Sequence, residues 1–304
     1  MKHTLKVTLL LALIFFVAQI VGLAITKEYI STEEYIDPET KVVVKQIVSE
    51  DLPYNLERPE IEESSSYIWI TLAVIIGTLL LLLIIKFRKF NIWKFWFFFA
   101  VFFTIAIAFA PFVGQIIAAF LAFILALLKI YRPAAILNNF TEIFIYGGLE
   151  AIFVPIINVF AAFALLFLIS VYDVVAVRHT KHMVKLAKFQ VRSNVFAGLL
   201  VPYGKEKGIS EAKGIIKDKE KGRIAVLGGG DVGFPLLFAG AVMKELMLAN
   251  PEAIGFFKVL IIPVFVTLAL LYLLITGKKD KFYPAMPYLS VGCVLGYLAI
   301  LLFL

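Results

Sequence analysis

Long apolar runs dominate the chain and are broken by only two hydrophilic stretches. About 20 helical residues cross the roughly 30 Å of a hydrocarbon core. Runs of that kind fall at 7–25, 67–85, 93–110, 113–130, 134–153, 156–177, 224–243, 255–275 and 285–304. The pattern predicts an all-α polytopic membrane protein with nine transmembrane helices. A short Pro111 to Gly114 turn separates the third and fourth runs, and Asn138, Asn139, Thr141 and Glu142 interrupt the fifth, so eight or nine spans fit. The first run has a basic start but no A-x-A cleavage signal after it, and reads as a retained span.

Composition agrees with this pattern: 62% of the residues are hydrophobic and 17% charged, against about 25% charged in soluble domains. Lys and Arg set the orientation. With the N-terminus inside, nine spans place 23 basic side chains on the cytosolic side and six outside. The expectation is N-terminus in, C-terminus out. Residues 1–177 then form a bundle of spans one to six with an outside loop at 27–66, and 224–304 a bundle of spans seven to nine. Between them, 178–223 carries twelve bases and four acids and reads as a flexible cytosolic connection that touches anionic lipid. It has no aromatic interleaving and no strand periodicity, so nucleic acid is not an expected partner. In the outer loop, Lys41 to Lys45 suggests a short strand. The single Cys293 cannot form an internal disulfide.

One stretch, VLGGGDVGFP at 226–235, admits two readings. As G-x-G-x-x-G after an extended Arg223 to Leu227 it could open a dinucleotide-binding unit. Such a unit needs further strands and helices around a parallel sheet, yet Asp231 is followed by two more membrane spans. The other reading places Asp231 inside the membrane, where charge is costly and usually functional. Asp173, five residues before Arg178, is a second such carboxylate on the preceding span. At 1.5 Å per residue the two lie roughly 7 and 12 Å inside the same edge. Two carboxyls sharing a low-dielectric site hold one proton between them, and so supply the base and the acid that peptide hydrolysis needs. The same pair could carry a proton or cation through a transporter or channel. Gly228, Gly229 and Gly230 permit irregular backbone and close approach by a substrate, and irregular backbone at that depth must be protein-buried or line water.

Tyr172-Asp173 in the sixth span, Gly228-Gly229-Gly230-Asp231 in the seventh, and Pro284-Ala285-Met286-Pro287 opening the ninth resemble the YD, GxGD and PAL motifs of the presenilin and signal peptide peptidase intramembrane aspartyl proteases. The resemblance covers most of the chain. It implies Asp173 and Asp231 as the catalytic pair, and a substrate-binding role for Tyr172, the three glycines and the 284–287 turn. It further implies transmembrane-helix substrates within a lipid bilayer, no cofactor and no metal. Met286 stands where the family has Leu, an adaptable replacement of similar volume. Val232 and Gly233 depart from the larger presenilin residues, and Pro235 resembles the signal peptide peptidase branch. The N-in orientation resembles presenilins, whose substrates present their N-termini outside. The short 178–223 connection fits a compact prokaryotic-type member in the cell membrane, active alone or as a homo-oligomer.

Other chemistry is weaker. His179 and His182 lack an acid or thiol at metal-ligand spacing and read as an interfacial basic patch. No H-E-x-x-H or G-x-S-x-G occurs. Prepilin peptidases share a GxGD signature, but in cytosolic loops. Tyr172 could orient Asp173 or the substrate, or simply pack. Phe97, Phe98, Phe99, Phe102 and Phe103 read as lipid-facing bulk, and Glu142 and Glu150 as interface or helix-end residues without an assigned role.

Overall fold

The computed structural model describes residues 4–36, 43–87, 90–180, 182–183, 186, 189–190, 193, 195–203, 223–277 and 283–303. Helix α1 (Leu5–Lys27) leads into a β-hairpin of β1 (Ile30–Ile36) and β2 (Val43–Ser49). Four helices follow: α2 (Ser66–Lys86), α3 (Phe90–Val113), α4 (Gln115–Tyr131) and α5 (Ala135–Phe153). Next come α6 (Val159–Val174), a π-turn (Val175–His179), and a second hairpin of β3 (Gly198–Tyr203) and β4 (Arg223–Gly228). The chain closes with α7 (Gly229–Ala249), α8 (Glu252–Val259), α9 (Ile261–Thr276) and α10 (Met286–Phe303).

Among the described residues, six helical segments are long and apolar enough to cross a membrane: α1, α2, α3, α6 with its π-turn, α7, and α8 with α9. Residues Gln115–Tyr131 and Met286–Leu302 are apolar but shorter. Burial sorts these helices by position. Only 6% of the α2 window is buried, so α2 is a peripheral helix whose Leu, Ile and Trp side chains face outward, whereas 72% of α7 is buried. Central placement suits a helix of small residues such as Gly233, Ala239, Gly240 and Ala241. Around α7 pack α1, α5, α6, α9 and α10, with Phe15, Leu165, Leu236, Phe238, Val266 and Leu289 in one continuous core. Glycine allows α10 to lie directly on α9. A β-carbon at Gly292 would come within 2.8 Å of the Val266 Cα, and one at Gly296 within 2.9 Å of the Ile262 Cα.

The two hairpins sit at opposite ends of α7, which at 21 residues is roughly 30 Å long. The β1–β2 hairpin docks at its C-terminal end. There Lys45 Nζ donates to the Met247 and Asn250 carbonyls at 3.4 and 3.1 Å, a cation placed where helix carbonyls are left over. Thr32 adds hydrogen bonds from its N–H and hydroxyl to Glu252 at 2.9 and 2.8 Å.

Three expectations are corrected. The run at 224–243 does not begin as helix: Arg223–Gly228 is strand β4, and the helix starts at Gly229. The 178–223 segment is not without strand structure, because Gly198–Tyr203 pairs antiparallel with β4 from Gly198 opposite Gly228 to Tyr203 opposite Arg223. The apolar run Gly-Leu-Leu-Val gains burial on the bundle that its Lys-rich surroundings conceal. Phe97 is buried rather than lipid-facing, with its ring 5.7 Å from Lys129 Nζ, while Phe99 and Phe103 are exposed.

Candidate active site

Asp173 lies one residue before the end of α6, where the helix loosens into the π-turn, a departure common at functional sites. Its side chain is buried and accepts a hydrogen bond at 3.0 Å from the main-chain N–H of Met286, the first residue of α10. One turn earlier the hydroxyls of Ser170 and Ser290 meet at 2.8 Å. These two contacts tie α6 to α10 and bring Asp173 against the 284–286 segment, where Pro284, Ala285 and Met286 are all buried. Pro287 sits in the first turn of α10, where its missing N–H costs no helical bond.

Asp231 is half-buried in the first turn of α7, where the helix N-terminus favours negative charge. The carboxylate curls back toward Gly228: its Oδ2 lies 3.3 Å from the point where a Gly228 side chain would begin. Any larger residue at 228 would press on it. Pro235, four residues on, has no N–H to offer the Asp231 carbonyl. Helices α6, α7 and α10 pack on one another, and the Met286 N–H bond sets residues 284–286 against Asp173.

Among the described residues, the hairpin leading to Asp231 has one closed edge and one open edge. Asn139 on α5 accepts from the Leu200 N–H at 2.8 Å and donates to its carbonyl at 2.7 Å. Asn138 donates to the Gly198 carbonyl at 2.7 Å. Side chains thus stand where a further strand would lie beside β3. Because Leu200 points its backbone groups away from β4, the residue opposite it, Val226, points its own away from β3. No partner for the Val226 N–H or carbonyl is found among the described residues. Gly229 N–H donates to the Ala197 carbonyl at 3.2 Å, continuing the ladder into the glycine turn.

Tyr172 does not turn its hydroxyl toward Asp173 in this structure. It bonds Thr78 on α2 and His182 Nε2, each at 3.0 Å, and so ties the end of α6 to α2. His179 is exposed, and among the described residues no group of His, Cys, Asp and Glu could hold a metal ion.

Several supporting residues carry no motif. Lys129 on α4 is 4% exposed, and its Nζ donates to Glu142 at 2.8 Å, Asn138 Oδ1 at 2.9 Å and Thr141 at 3.0 Å. Glu142 is therefore a buried ion-pair partner rather than an interface residue. Glu150, also expected at an interface, is buried at 2% exposure beside Gly233 of α7. Gln19 on α1 donates to the Val232 carbonyl at 2.8 Å. A polar residue within an apolar run was the only sequence signal for each.

A helical bundle with one aspartate in the glycine-flanked first turn of its central helix and a second held by a neighbouring helix start fits an intramembrane protease of the aspartic class. The model of the family described as "Signal-peptide peptidase, presenilin aspartyl protease" matches residues 41–304, and the chain belongs to that family. Two solved structures of a presenilin family intramembrane aspartate protease share its fold. The C222 crystal form gives a TM-score of 0.58 at 17% identity, covering 95% of this chain and 94% of that one. The P2 form gives 0.58 at 17% identity over 99% and 98%. No curated protein matches the chain.

Proposed function

We propose that the protein hydrolyses peptide bonds within transmembrane segments, with Asp173 and Asp231 as the catalytic pair. One carboxylate takes a proton from water as the water oxygen attacks the scissile carbonyl carbon, and the other, protonated, donates to the carbonyl oxygen. When the tetrahedral intermediate collapses, a hydroxyl proton returns to the carboxylate that had donated, the C–N bond breaks, and the carboxyl that took the water proton passes it to the departing amine, leaving a carboxylic acid and an amine. Residues 284–287 hold Asp173 in place through the main chain, and the glycines before Asp231 leave room for a substrate backbone.

The observation that carries this reading is the open edge of β4, which runs directly into Asp231. A peptide must be unwound before attack, and an unwound chain can satisfy its backbone groups by adding to that edge. A transporter needs no such edge. Val226→Pro should remove an outward N–H while keeping an edge-compatible backbone. Its kcat/KM is expected to fall about tenfold, the value of one or two hydrogen bonds, with little change in melting temperature. Ala225→Pro removes an N–H aimed into β3 and should destabilise the hairpin itself. Wild-type turnover by Val226→Pro would rule out docking on this edge.

The reading extends to topology. Nine spans, with α8 and α9 as one of them, run from a cytosolic N-terminus to an external C-terminus. The 27–66 loop lies outside, and 178–223 connects the 1–177 and 224–304 bundles in the cytosol. Substrates are single spans with external N-termini, and the setting is a prokaryotic cell membrane. A single chain, alone or in a homo-oligomer, suffices. The test uses purified protein in liposomes with a single-span reporter: defined fragments, blocked by a hydroxyl peptide isostere that mimics the intermediate, support hydrolysis. Ion flux without fragments would favour transport.

A further inference from the structure

Five buried side-chain oxygens and nitrogens have no hydrogen-bond partner among the described residues, and three of them surround the first turn of α7. They are Gln19 Oε1 from α1, and Tyr146 Oη and Glu150 Oε2 from α5. All three side chains are 4% exposed or less. They lie against Gly229, Val232 and Gly233, residues on either side of Asp231 in the sequence. The Tyr146 hydroxyl is 3.3 Å from where a Gly229 side chain would start, Glu150 Oε1 is 3.8 Å from the same point on Gly233, and Gln19 Nε2 is bonded to the Val232 carbonyl. Tyr146 and Glu150 are one helical turn apart, so α5 presents both on one face.

Folding does not explain these groups. A buried polar atom without a partner destabilises the native state, and Phe or Leu could fill the same space without that cost. Tyr146 lies close to both Glu142 and Asp231, but its hydroxyl makes no well-aligned hydrogen bond among the described residues. Glu142 is neutralised by Lys129 at 2.8 Å, which leaves it the weaker attraction for the hydroxyl. Polar atoms gathered from two helices are the kind of partners a buried water bonds. Water is also the second substrate of peptide hydrolysis.

We propose that Gln19, Tyr146 and Glu150 form a polar cradle that holds water behind the Gly229–Gly233 turn and delivers it to Asp231. The inference rests on the catalytic reading of Asp231. It makes Tyr146 and Glu150 positioning residues for the water, separate from the substrate-binding edge of β4.

The test compares wild type, Tyr146→Phe, Glu150→Leu, Glu150→Gln and Asp231→Asn on a single-span reporter, with binding of a hydroxyl peptide isostere and thermal unfolding measured for each. An isostere carries its own hydroxyl, so its binding does not depend on water delivery. In Tyr146→Phe and Glu150→Leu, kcat should fall about tenfold or more. KM, isostere affinity and melting temperature should stay near wild type. Glu150→Gln, which keeps a hydrogen-bonding end, should recover most of the loss. Wild-type kcat in both Tyr146→Phe and Glu150→Leu overturns the cradle, as does a fall in isostere affinity or melting temperature that accounts for the lost rate. Activity in Asp231→Asn would instead overturn the catalytic reading beneath it.

Discussion

Asp231→Asn and Asp173→Asn are each expected to lower kcat on the order of a thousandfold below wild type, within the range that general acid–base groups contribute. Asn keeps the size of Asp and its carbonyl acceptor but neither takes nor gives a proton at hydrolytic pH. At 173 the amide oxygen can still accept from Met286 N–H, so the α6 to α10 tie survives and the fold should hold. At 231 the side chain sits in the first turn of α7, and losing its charge forfeits a helix-end interaction of about 0.3–1 kcal/mol. The double variant should be little worse than either single one, because two groups that act as a unit do not add. Fragment yield by mass spectrometry, set beside melting temperature in detergent, checks this. A well-folded single variant that still cuts at the wild-type position would remove that residue from the pair.

Lys129→Met should cost more stability than any other single change argued from this structure. It leaves Glu142, at 2% exposure, as a buried charge without its cation, and breaking such a pair costs about 3–5 kcal/mol. It also removes the donors to Asn138 and Thr141. Asn138 in turn holds the Gly198 carbonyl opposite Gly228, so the loss should reach the hairpin at the point where it enters the glycine turn. Adding Glu142→Leu to Lys129→Met should recover most of the stability, since replacing both charges by apolar groups is often neutral. Recovery will be incomplete to the extent that the amide and hydroxyl partners matter. Thermal unfolding of the two single variants and the double variant measures the coupling. A Lys129→Met protein that melts like wild type would show that the pair does not hold the fold.

Sequence alone displayed the helices well, because a run of some 20 apolar residues has few other uses. The extended character of 223–227 was also legible, from β-branched residues ending in glycine. Strand β3 was hidden: its six residues sit among Lys and Gly, and the groups that complete its edge, Asn138 and Asn139, lie some sixty residues away on α5. Those asparagines read as flaws in the fifth apolar run when they are the strand's edge partners. Lys129, at the end of the fourth apolar run, finds its partner Glu142 only on the next helix. Motif residues announce their chemistry by type and spacing. Gln19, Ser170 and Ser290 are single polar residues in apolar runs, and only packing gives them meaning.

Asp173 is met at position 286 by a main-chain N–H, not by a side chain. Every amino acid except proline brings the same donor to that place. Drift from Leu to Met therefore leaves the bond to the carboxylate intact and alters only the shape of the neighbouring packing. Selection on residue 286 would accordingly act on volume and would be blind to the hydrogen bond. A proline there would break the contact while leaving the surrounding apolar surface almost as it was.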